Sequence, residues 1–187
     1  LDYLRWHHHQ VKTSLRKDEV YNANRDVSEM LQSLKRGGHK LAVVCGESTT
    51  GLESQLKVSR TLDFFEDAVF GADRRPHGLK NDYTLAAMYK TAAAHEAEDM
   101  DETLVVSDSP EAIEDALPVH PCAVVGYVDP YTEWNEQGIR LKEMSEAGAN
   151  YTAVGGHTVA NLPFHLGQRA KTRGFLATMI AGAMRYE

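Results

Sequence analysis

The chain has 187 residues and 42% hydrophobic content, which suits one domain with an ordinary core. Its net charge of -7 argues against nucleic acid or an anionic membrane as the main partner, since either asks for a basic face. No apolar run approaches the ~20 residues of a membrane span. No secretory signal is visible among first residues that carry Asp2, Arg5 and three histidines. Cys45 and Cys122 lie on or beside strands expected to be buried, and read as free thiols of a reducing compartment, cytoplasm or organelle matrix.

Leu1 to about Arg16 places Leu1, Leu4, His8, Val11 and Leu15 on one helical stripe, a core helix or one laid on a partner. Residues 1–20 are taken as this N-terminal segment and 21–187 as the α/β core. His7-His8-His9 does not make a metal site, because consecutive residues on a helix point about 100° apart. Asn24 or Asp26 caps a second helix with Val27, Met30, Leu31 and Leu34 on its apolar face, and Gly37-Gly38 ends it. Leu41 to Val44 is a short β-branched run of the kind buried on both faces in parallel sheets. A helix over Thr49–Ser59, a strand at Ala68-Val69-Phe70 and a helix over Asn81–His95 follow.

Thr103 to Val106 is the next strand. Ser109-Pro110-Glu111 then opens a helix with a cap, a first-turn proline and an acid at the positive helix end. Cys122–Tyr127 is a strand, Glu133–Ala147 a helix closed by Gly148, and Tyr151–Val154 a last short strand. The tail, about Gln168 to Arg185, has Phe175, Met179, Ile180 and Met184 at helical spacing and is expected to pack on the sheet as a helix. Strands alternating with helices predict a doubly wound, Rossmann-like parallel sheet. In such sheets ligands bind beyond the carboxyl ends of the strands, so Cys45, Gly46, Glu47 and Ser48, and Ser107 to Ser109, belong to the functional rim. No Gly-x-Gly-x-x-Gly or phosphate-loop signature supports a nucleotide-binding module.

From about Val20 to Val154 the order of residues resembles the haloacid dehalogenase-like hydrolases, in the phosphatase branch that carries an inserted helical cap. Leu41-Ala42-Val43-Val44-Cys45-Gly46-Glu47-Ser48 resembles the second motif of that family, Gly78-Leu79-Lys80-Asn81-Asp82-Tyr83 the third, and Leu104-Val105-Val106-Ser107-Asp108-Ser109 the fourth. Asp63 to Asp73 is similar to the approach to its third strand. The resemblance implies phosphate contacts at Cys45, Gly46 and Lys80, a catalytic part for Lys80, and Mg2+, if the chain is active, held by Asp108 and Glu111. It also implies a small phosphorylated metabolite as substrate. Each of these residues has a plainer reading: Lys80 as a surface lysine, Asp108 and Glu111 as turn and capping acids, Cys45 as a small buried hydrophobe.

The chain departs from that pattern. The family places an aspartate nucleophile and a second aspartate two residues later after a first strand, but no apolar strand followed by Asp-x-Asp precedes Leu41. Asp99-Met100-Asp101 lies before a strand, at the edge away from the rim. The second-motif hydroxyl position falls on Cys45, and Asn81 replaces the proline after Lys80. The second acid of the fourth motif belongs near Ala112, one place from Glu111. In the family the first strand lies between those ending at Cys45 and Asp108. Leaving that slot empty would cost ~1–3 kcal/mol for each unpaired buried backbone group. Hence the two strands close up, another chain supplies a strand, or the natural chain starts earlier. The expected function is a fold kept as a structural or interaction subunit in a larger assembly. The alternative is a Mg2+-dependent phosphatase whose nucleophile segment lies elsewhere.

Overall fold

The computed structural model describes residues 25–73, 85–95, 99–170 and 177–181. The helix read at Leu1–Arg16, the histidine run, the boundary near residue 20 and Lys80 lie outside the described residues. In chain order the elements are α1 (Arg25–Arg36), β1 (Leu41–Val44), α2 (Thr49–Val58), β2 (Val69–Phe70), α3 (Leu85–His95), β3 (Thr103–Ser107), α4 (Pro110–Ala116), β4 (Ala123–Val128), α5 (Trp134–Glu146), β5 (Tyr151–Val154), α6 (Gly156–Ala170) and β6 (Ala177–Ala181). Short 3-10 turns at Leu62–Phe64, Met100–Glu102 and Leu117–Val119 join them.

The six strands among the described residues form one sheet in the order β2-β1-β6-β3-β4-β5, parallel throughout. Period-two alternation splits the strands between two cores. Leu41, Val43, Leu104, Val106 and Val125 face α1, α2 and α6, meeting Leu31, Leu34, Leu52, Leu56 and Val159. Ala42, Val44, Val105 and Val124 face α3, α4 and α5, meeting Tyr89, Ala92, Ile113, Ala116 and Met144. Both faces are covered, which is why these strands read as unbroken apolar runs.

The tail differs from its sequence reading. In place of one helix over Gln168–Arg185, α6 stops at Ala170 and Ala177–Ala181 is a strand. Thr178 to Ala181 pair with Leu41 to Val44 on one side, and Ala177 to Ala181 pair with Thr103 to Ser107 on the other. The apolar spacing of the tail matches a helix stripe, but two open strand edges decide the outcome. Pairing with both satisfies more buried backbone groups than a surface helix would. The slot anticipated between the strands ending at Cys45 and Asp108 is thus filled by the chain's own β6.

Smaller departures follow from local packing. Cys122 stands just outside β4 and is exposed, while Cys45, just past β1, is half-buried. Asp26 lies in the first turn of α1, and its carboxylate turns away from its own helix. It accepts hydrogen bonds from Tyr127 Oη at 2.9 Å and from the Gly156 N–H, the first of α6, at 2.5 Å. Glycine is required at 156 because an added Cβ would come within 2.6 Å of Met30 Cβ. That close approach brings the first turn of α1 against the first turn of α6, and Asp26 bridges both to β4.

Candidate functional site

With every strand parallel, the carboxyl ends of β1, β2, β3 and β4 share one edge. Val44 and Ser107 pair with Ala181 from opposite sides. Cys45 and Asp108, one residue further on each flank, are therefore about 10 Å apart, two strand spacings. The edge brings together three of the residues the sequence singled out, Cys45, Gly46 and Asp108. Glu111 stands in the first turn of α4, behind Asp108.

The β1/β2 half of this rim is tied to itself. Ser48 caps α2, its hydroxyl accepting from the Gly51 N–H at 3.1 Å. Asp73, beyond β2, accepts from the Thr49 N–H and the Thr49 hydroxyl, both at 2.6 Å. The same hydroxyl accepts from the Gly71 N–H at 3.2 Å. These bonds, the Thr49 hydroxyl first, hold the Asp73 carboxyl below the usual carboxylate range. Gly71 is pressed so closely on α2 that an added Cβ would lie 2.1 Å from Thr49 N. Glu47 is held as well: its carbonyl accepts from the Ala72 N–H at 2.6 Å, and its carboxylate from the buried Gln55 amide at 2.8 Å. A helix N-terminus is a ready anion site, but the first N–H of α2 already carries the chain's own carboxylate. An added Cβ at Gly46 would touch nothing.

The β3/β4 half is more open. The Ser107 hydroxyl is buried and accepts from the Ser109 N–H at 3.1 Å. Ser109 caps α4, and its hydroxyl donates to Glu111 at 2.6 Å. Glu111 is thus drawn into the cap of its own helix. Asp108 is exposed at its edge yet crowded by protein on the remaining sides, and that desolvation pushes its carboxyl up to about 6. Its own backbone N–H and the charge of Arg140 on α5 pull the other way. Water at the exposed edge limits how far the carboxyl is carried. Behind it, buried Tyr89 of α3 donates to the Ala112 carbonyl at 3.1 Å, and burial raises its phenol well above the usual value. The Tyr127 phenol is raised too, by burial first and then by Asp26.

Among the described residues no three His, Cys, Asp or Glu side chains come close enough to hold a metal ion. Mg2+ takes near-octahedral oxygen ligation and commonly keeps waters beside one or two carboxylates and a phosphate. Of the two acids read as its ligands, Asp108 faces the rim and Glu111 is engaged by Ser109. The described donors therefore do not by themselves fit a resident Mg2+.

Other sequence candidates lie elsewhere. Asp99 precedes and Asp101 lies within the turn before β3, at the amino edge as expected. His157 is exposed in the first turn of α6 beside Asn161, 3.1 Å from its ring nitrogen. A cleft of about 330 Å³ lined by Lys35, His39, Lys40 and Glu66 also lies at the amino edge, where Lys35 binds Glu66 at 2.5 Å. The contacts made by Asp73, Asp26, Tyr127 and Arg140 carry no signal in the sequence because each acts on a partner distant along the chain.

The sequence pattern of the haloacid dehalogenase-like hydrolases matches residues 3–119, more than half of the chain. The chain belongs to this family. Three solved structures share the fold. One is a haloacid dehalogenase family hydrolase from Deinococcus radiodurans R1 with bound phosphate and sodium. It is 15% identical, covers 78% of this chain and 61% of its own, and has a TM-score of 0.65. Another is a putative beta-phosphoglucomutase from Thermotoga maritima, 19% identical, covering 76% and 60%, with a TM-score of 0.59. The third is a haloacid dehalogenase-like protein of unknown function from Agrobacterium tumefaciens str. C58, 17% identical, covering 69% and 54%, with a TM-score of 0.52. The chain therefore spans less than two thirds of the length of each. No curated protein matches it. No helix among the described residues is long and apolar enough to cross a membrane.

Proposed function

We infer that this stretch of haloacid dehalogenase-like fold acts as a structural or interaction subunit and does not itself carry out aspartyl phosphohydrolysis. The observation that carries the reading is β6. The family's nucleophile strand belongs between the strands ending at Cys45 and Asp108, and β6, with the sequence Ala-Thr-Met-Ile-Ala, stands there. It brings Ala181 to the rim beside Val44 and Ser107, where an attacking carboxylate would follow. The closed β1/β2 half supports the same reading, since Asp73 already occupies the helix end that would receive a phosphoryl oxygen.

The exposed carboxyl of Asp108 favours a second reading. Here the chain is part of a Mg2+-dependent phosphatase of a small phosphorylated metabolite, with the nucleophile segment supplied by a longer form or another chain. Lys80, Cys45 and Gly46 would then hold the phosphoryl group. Hydrolysis of para-nitrophenyl phosphate, with and without Mg2+, by the protein purified from its natural source together with any longer form or second chain separates the two. The subunit reading expects no turnover above background in either condition. Mg2+-stimulated turnover that disappears in Asp108→Ala overturns it.

A further inference from the structure

Of the large hydrophobic side chains that the described residues expose, the most exposed two are neighbours: Tyr131 at 75% and Trp134 at 85%. They are three residues apart, no more than ~11 Å along the chain. They stand beyond the carboxyl end of β4, Tyr131 in the loop that enters α5 and Trp134 as the first residue of that helix. This loop is built to hold them. Asp129 accepts from the Tyr131 N–H at 2.8 Å, and the Thr132 N–H closes a turn onto the Asp129 carbonyl at 3.1 Å. The buried Gln137 amide binds two loop carbonyls, of Thr132 at 2.7 Å and Pro130 at 3.1 Å. Two large rings on a fastened loop lose little freedom on binding, which is what an interface anchor needs.

The surrounding charge selects the partner. Glu133 stands between the two rings in sequence. Along α5 the two cations are spoken for, Arg140 by Glu136 at 2.9 Å and Lys142 by Glu146 at 3.6 Å. Arg25, whose charge reaches Tyr131, is itself bound to Glu29 at 2.8 Å. The surroundings are net acidic, as is the whole chain at -7, so a second copy would bring like charge to the same patch.

We propose that Tyr131 and Trp134 form a docking site for a protein segment with an apolar centre and a basic rim, such as an amphipathic helix flanked by lysines. The inference names the partner of an interaction subunit and in that rests on the reading above. A phosphatase assay does not touch the patch, so the two fail separately.

The test uses the full chain carrying Trp6→Phe, which leaves Trp134 as its one indole, and a synthetic helical peptide with a leucine face and lysine flanks. Titration is expected to shift Trp134 emission to shorter wavelength, with affinity falling as salt rises. The Tyr131→Ser/Trp134→Ser double variant, followed by calorimetry with circular dichroism as a check on folding, is expected to weaken binding about tenfold or more. Glu133→Lys, which keeps both rings, is expected to weaken it less. Several results overturn the proposal. These are equal binding by the double variant, equal binding of a peptide with glutamate in place of lysine, or a dimer that the double variant abolishes. Emission already at short wavelength, and reddened only when residues 1–24 are removed, overturns it too, since the chain would then cover its own patch.

Discussion

The two halves of the carboxyl rim are built from similar parts and end in opposite states. Each has a buried strand, a serine-capped helix and an aspartate near the strand end. On the β1/β2 side the aspartate, Asp73, is spent on the next helix, and its carboxyl is held low by the Thr49 hydroxyl and N–H. On the β3/β4 side Ser109 and Glu111 complete the cap between them, and Asp108 is left toward solvent with its carboxyl raised by the protein around it. Where the strand-end carboxylate is drawn into the next helix its charged form is held, and where the helix is capped without it desolvation raises it. The β1/β2 half thus has its carboxylate engaged within the fold, and the β3/β4 half presents its own to solvent.

The contrast breaks most readily at Gly71. Gly71→Ala puts a methyl group against the backbone of Thr49, which cannot yield as a side-chain tip would. Urea unfolding is expected to show a loss of about 3 kcal/mol. Gly46→Ala, on the same rim but in open space, should change stability by no more than ~0.5 kcal/mol. Equal effects at the two positions would mean that the β1/β2 half is not clasped as described.

Thr49→Val is the next largest step. It removes the hydroxyl that bridges Gly71 and Asp73, and is expected to cost ~1–2 kcal/mol at neutral pH. The sign of its pH dependence follows from the depressed Asp73 carboxyl. That group stabilises the fold above its unfolded value, ~3.9, and the contribution is lost as pH falls through the lower folded value. In Thr49→Val the acid loss should be smaller, because Asp73 then titrates nearer its unfolded value. An unchanged acid limb counts against the clasp.

Asp108→Asn gives the smallest effect, with the opposite sign. A carboxyl raised to about 6 binds its proton more tightly in the folded state. Its contribution is therefore most favourable below ~3.9 and is lost as pH rises from there through about 6. The asparagine variant should flatten that part of the stability profile and be slightly more stable than the parent at neutral pH. A variant that is less stable than the parent at pH 7 would show that the charged form is held favourably after all.

The fold was legible where burial writes itself into composition. Leu41–Val44, Leu104–Val106 and Ala123–Val125 are unbroken apolar runs because helices cover both faces, and Ser48 and Ser109 announce helix starts through local capping chemistry. β6 was not legible. Phe175, Met179 and Ile180 carry a helical period, and only the open edges of two distant strands turn the segment extended. The rim was half legible: Asp108 follows a readable strand, whereas the Thr49–Asp73 clasp and the Asp26–Tyr127 bond join residues with no common pattern. Lys80 bears on the phosphatase reading but lies outside the described residues.

The place of β6 also bears on how the molecule reaches its final state. The strand that joins β2-β1 to β3-β4-β5 is the last of the six along the chain, and its partners, such as Leu41 for Thr178, lie far back in sequence. During synthesis both half-sheets must wait with a buried-type edge uncovered until Ala177–Ala181 emerges. High contact order of this kind slows folding and prolongs exposure of sticky strand edges. In a topology of this kind the interval before β6 emerges, and not final stability alone, bears on aggregation.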